Sequence, residues 1–155
     1  MQTKIGLSKK ELKDSTTILT KILATEMVLY TKTRNFHWNI EGRSFMELHK
    51  MLDSQYNQVE KIIDETAERI TKLGEKAIGT MKEFISNSII EESSNSLTQD
   101  EMLDNLLKSH ETICIELRKS IEKLDESKDF VTADFLTGVL EQHETFAWIL
   151  RNYLQ

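Results

Sequence analysis

No proline interrupts this chain of 155 residues, and it holds only five glycines. Proline in a helix interior costs about 3 kcal/mol and glycine about 1 kcal/mol, so a sequence nearly free of both is open to long, unbroken helices. Their starts are marked four times by a Ser or Thr followed three residues later by Glu: Ser8 with Glu11, Ser44 with Glu47, Thr80 with Glu83 and Thr98 with Glu101. In that pattern the two side chains satisfy each other's free backbone N–H groups. The spacing predicts helices over 9–39, 45–72, 99–126 and 130–153, with a short one near 80–86. Leu12, Leu19, Ile22, Leu23, Met27 and Tyr30 face inward on the first, and Phe135, Val139, Phe146, Ile149, Leu150 and Tyr153 are apolar on the last. Gly74 is the expected C-terminal cap of the second.

Link lengths set the topology. The first and third links are short and join antiparallel neighbours, whereas the Ser/Asn-rich link from Gly74 to Leu97 is long enough to cross the roughly 40 Å of the second helix. The predicted fold class is therefore all-α: one ferritin-like domain over 1–155, a four-helix bundle with one long crossover carrying a short helix.

The most informative stretch runs from Asn35 to Glu68. On a helix of 100° per residue, with His49 at zero, Asp53 falls at about 40°, Asp64 at about 60° and Glu68 at about 100°. The apolar residues Phe45, Leu48, Leu52, Val59, Ile63 and Ile70 lie between about 260° and 320°, so metal-type ligands run along the flank of the buried face. One chain cannot gather them. His49 and Asp64 are roughly 22 Å apart along the axis, against metal–ligand bonds of about 2 Å. If Gly42 closes a tight turn, His37 comes back beside residue 48, so both histidines meet at one end and both distal acids lie at the other. A two-fold axis near Tyr56 and Asn57 would bring a second copy's Asp64 to this His49, giving a site shared between subunits.

An iron site inside the bundle is not expected. Paired Glu-x-x-His motifs are absent: Arg34, Met46, Leu107 and Leu140 stand three residues before the four histidines. His110 and His143, set among apolar residues, read as satisfied core histidines. Trp38 reads as packing, with a redox role beside a metal as the sharper alternative. Imidazole and carboxylate together suit iron, manganese or zinc. The lone Cys114 allows no internal disulfide and fits a reducing cytoplasm; no stretch is apolar enough to span a membrane, and the N-terminus lacks a signal-peptide core. A net charge of −6 does not attract nucleic acid.

At these residues the sequence resembles the Dps family, the dodecameric mini-ferritins. The resemblance is carried by KTRNFHWNIEG (Lys32–Gly42), FMELH (Phe45–His49), DETAER (Asp64–Arg69) and FAWILRNYL (Phe146–Leu154), and it covers nearly the whole chain. It implies a ferroxidase site at the dimer interface, with His37 and His49 from one subunit, Asp64 and Glu68 from its mate, and Asp53 as auxiliary ligand on the histidine side. It further implies oxidation of Fe(II) by hydrogen peroxide, or dioxygen, and storage of ferric mineral in a hollow homo-dodecamer in the bacterial or archaeal cytoplasm or nucleoid. A negative three-fold pore is placed by it at the start of the fourth long helix, at Asp134, with Asp129 and Asp125 less securely aligned.

Many relatives bind DNA through a lysine-rich tail. Here Lys4, Lys9, Lys10 and Lys13 are few, and three of them fall in the first helical turns among Glu11 and Asp14, so chromosome coating is not expected. The rival reading is a DNA-compacting or scaffold shell whose metal sites are vestigial or hold structural zinc.

Overall fold

The computed structural model describes residues 3–155. Five helices follow one another: α1 (Lys9–Asn39), α2 (Phe45–Lys72), α3 (Met81–Asn87), α4 (Gln99–Glu126) and α5 (Phe130–Tyr153), and no strand occurs among the described residues. Three of the four sequence-marked caps form. Ser8, Thr80 and Thr98 each accept from the backbone N–H of the Glu three residues on, whose carboxylate returns to the cap N–H. Those hydrogen bonds, the cap backbone first, hold the Glu11 and Glu101 carboxyls below their usual range.

The fourth cap does not form. Ser44 sits at φ −97°, ψ 25° and makes no side-chain cap bond. The chain enters α2 through a turn, with Gly42 at φ +117° and the Phe45 N–H donating to the Gly42 carbonyl at 3.2 Å, so Ser44 never adopts the extended geometry that aims a hydroxyl at the third helical N–H. Gly74, at φ +95°, ends α2 as expected, and a Cβ there would come within 2.3 Å of Thr3 Oγ1. Asp129 caps α5, accepting from Thr132 N–H at 3.2 Å.

Packing is concentrated within two antiparallel hairpins, α1–α2 and α4–α5, with α3 laid against α1. Leu19, Ile22, Leu23 and Leu29 of α1, Leu52 and Val59 of α2, and Leu106, Ile113, Leu136 and Leu150 of the second hairpin fill a common core. Each such side chain contributes about 1.5–3 kcal/mol on burial. Two expected stripe residues shift: Phe45 is 39% exposed and stacks on His49, and Ile62 takes the core position with Ile63 only partly buried. Tyr153 is also exposed.

Polar bridges also cross between the hairpins, around the shared apolar core. Lys21 pairs with Glu116 at 2.7 Å, Lys32 Nζ donates to Ser109 Oγ at 3.0 Å, and Glu26 Oε1 lies 2.9 Å from His143 Nε2. Arg69 reaches Asp129 Oδ1 at 3.2 Å and donates from Nε to Thr132 Oγ1 at 3.0 Å. No helix is long and apolar enough to cross a membrane among the described residues. The half-buried Cys114 thiol is pushed up to about 11 by burial, with the Glu144 charge adding to it, which leaves an inert packing group.

Candidate metal half-site

The Gly42 turn folds α1 back on α2 so that His37 and His49 face each other with rings stacked, centroids 3.8 Å apart and planes at 21°. Their hydrogen bonds are reciprocal. His37 Nδ1 lies 2.9 Å from the His49 carbonyl, and His49 Nδ1 lies 3.0 Å from the His37 carbonyl. A carbonyl only accepts, so each Nδ1 carries a proton, and the neutral tautomer protonated there presents Nε2 as a lone-pair donor. Metal-binding histidines are typically fixed in this way, by a carbonyl on the other ring nitrogen. His37 is 9% exposed and His49 half-buried.

Asp53, one helical turn beyond His49, is half-buried on the same flank. Its Oδ1 accepts a short hydrogen bond from the Tyr56 hydroxyl, and Asn57 Nδ2 stands 3.4 Å from Oδ2. That bond to Asp53, with some burial, raises the Tyr56 hydroxyl above its ordinary value. Arg34, a turn before His37, stacks its guanidinium over Tyr30, Trp38 and Tyr56 at 5.4, 5.3 and 4.5 Å and donates to the Tyr30 hydroxyl at 2.6 Å. Trp38 is 65% exposed, so in the single chain it serves as a face for Arg34 and is not core packing.

Asp64 and Glu68 stand exposed at the far end of α2, and Glu68 pairs with Lys72 at 2.9 Å. Among the described residues, no three His, Cys, Asp or Glu side chains of one chain converge closely enough to hold a metal ion. His37 and His49 are in contact, Asp53 stands one turn further along α2, and Asp64 and Glu68 lie at its far end.

A family model described as a ferritin-like domain matches residues 16–155. The DNA protection during starvation protein 2 of Bacillus anthracis is 38% identical over 137 residues, 88% of this chain and 94% of that protein. Among solved structures, Dps from Mycobacterium smegmatis superposes with a TM-score of 0.94 at 33% identity, over 100% of this chain and 94% of that one. The chain belongs to the Dps family of ferritin-like proteins. Dps from Vibrio cholerae O1, described as a member of a broad superfamily of ferritin-like diiron-carboxylate proteins, is 27% identical with a TM-score of 0.94, over 99% of this chain and 97% of that one.

In this Dps chain the bundle interior holds both expected core histidines together with Glu26, an acid that the sequence reading did not single out. His143 Nε2 meets Glu26 Oε1 at 2.9 Å, and His143 Nδ1 meets His110 Nδ1 at 2.9 Å, all three residues being fully or almost fully buried. The readable signal was Glu26, a charged residue in phase with Leu19, Ile22, Leu23 and Leu29 on the apolar face of α1. The three acids assigned to a pore differ in exposure. Asp129 is 3% exposed, with its carboxylate committed to Arg69 and Thr132. Burial pushes that carboxyl up, but hydrogen bonds from Thr132 and the Arg69 charge outweigh it and hold the carboxyl below its usual value. Asp134 and Asp125 are exposed.

Proposed function

We propose that this Dps chain is the subunit of an iron-storing ferroxidase shell, in which His37, His49 and Asp53 act together with Asp64 and Glu68 of the partner subunit. The observation that carries the reading is the reciprocal histidine–carbonyl lock, which leaves two stacked imidazoles with both Nε2 atoms free and same-chain carboxylate help from Asp53 alone. A two-fold copy supplies the missing acids. The substrate is Fe(II). Two ferrous ions surrender one electron each to one hydrogen peroxide, with dioxygen as the alternative oxidant, so peroxide is reduced by two electrons and no hydroxyl radical is released. The ferric product hydrolyses, liberates protons and is stored as mineral within a cytoplasmic dodecamer; zinc or manganese can occupy the same ligands.

DNA protection, the role for which the Bacillus anthracis relative is named, then follows from removing iron and peroxide. Lys9, Lys10 and Lys13 lie within the first turns of α1, a placement that favours this route over direct coating of DNA. Asp134 is the best-placed acid for a cation entry path.

Mixed assemblies test the shared site. A His37→Ala, His49→Ala chain and an Asp64→Ala, Glu68→Ala chain are each expected to lose peroxide-driven Fe(II) oxidation. Reassembled together, they form mixed dimers in which one site regains all four ligands, and part of the activity returns. No recovery in shells shown by mass spectrometry to contain both chains overturns the shared site.

A further inference from the structure

Tyr56 is neither a metal ligand in the reading above nor a core residue, yet its surroundings are the most constrained near the site. It lies one turn beyond Asp53 and two beyond His49, on their face of α2. Three α1 side chains enclose its ring: His37 edge-on at 5.2 Å and 72°, Tyr30 edge-on at 6.0 Å and 87°, and the Arg34 guanidinium over the face at 4.5 Å. A ring held from three directions cannot swing, so the position of its hydroxyl is dictated by α1 although it acts on a carboxylate of α2. That hydroxyl donates to Asp53 Oδ1. The other oxygen, Oδ2, carries only the 3.4 Å contact from Asn57, whose stronger bond, 2.8 Å, goes to the Asp53 main-chain carbonyl.

We propose that Tyr56 is a positioning residue of the iron site: it pins Oδ1 of Asp53 so that Oδ2 is the oxygen presented to iron, and the same ring buttresses His37. The proposal rests on the interface-site reading. An aspartate free to rotate would offer either oxygen, in many orientations. One fixed by an outer hydrogen bond meets the metal already oriented, and losing such a partner typically weakens metal binding about 10- to 100-fold.

The test uses the assembled shell with cobalt(II) as the probe, read by calorimetry and by its visible absorption, which reports ligand geometry without any turnover. Tyr56→Phe keeps the ring and removes only the hydroxyl. It is expected to weaken Co(II) binding about ten-fold and shift the visible bands, with helicity and shell size unchanged. Asp53→Asn weakens binding too, and Tyr56→Phe added to it costs nothing more, because Tyr56 acts through Asp53. Tyr56→Phe binding cobalt as the unmodified protein does, or losing the same factor on top of Asp53→Asn, overturns the proposal. His49→Ala distinguishes the failure of the underlying reading. If that variant binds cobalt undiminished, the ion does not occupy the histidine site, and the assignment of Tyr56 falls with it.

Discussion

Glu26, His143 and His110 form a line of hydrogen bonds from α1 through α5 to α4, with room for one proton between the two Nδ1 atoms. Burial holds the His110 imidazole well below its ordinary value, and charges at His143 and Lys32 push the same way. The folded ring therefore stays neutral where an unfolded one, with a pKa of about 6.5, takes up a proton. Above that pH both are neutral and this residue gives stability no pH dependence. Below it the unfolded chain binds the extra proton, so stability falls with pH, at a slope approaching about 1.4 kcal/mol per unit. Denaturant unfolding is expected to give a plateau from pH 8 to 7 and a decline below about 6.5; a curve flat to pH 5 contradicts the buried neutral ring. His110→Phe should lessen the decline.

At the scale of elements, most of the fold was legible because its determinants are local. Capping residues sit within three positions of what they cap, and the predicted limits of the long helices coincide with those observed. What failed was geometry that spacing cannot carry. Ser44 has the right partner at Glu47 but the wrong backbone, imposed by the Gly42 turn. Thr98→Ala should thus cost about 1 kcal/mol and Ser44→Ala only a few tenths, measured by chemical denaturation; equal losses would restore the Ser44 cap. Asp129 caps α5 through Thr132, three positions on, but its contact with Arg69 depends on a residue sixty positions away. The site divided in the same manner: the phase of His49, Asp53, Asp64 and Glu68 was readable, whereas the Tyr56–Arg34 packing needed two helices side by side.

For the whole molecule, Phe130, Val131, Trp148, Met81 and Ile85 are each more than half exposed, apolar side chains that contact with further subunits would cover. Assembly to a dodecamer is expected, and light scattering that finds a stable monomer or dimer at neutral pH would exclude it. Within that shell, Asp134→Asn should slow iron uptake at low salt and leave assembly intact, since acidic rings concentrate cations; an unaltered rate removes Asp134 from the entry path. The two hairpins form on different terms from the bundle that they build. Within α1–α2 and within α4–α5 the contacts pair segments joined by short turns, which close quickly. Contacts between the hairpins, the shared apolar core and the Glu26–His143 bond among them, join residues far apart in sequence. Such contacts close late, so each hairpin is expected to form before the bundle does. Both histidines belong to one hairpin. One short turn brings them together, so half of the metal site is expected to take shape before the bundle around it.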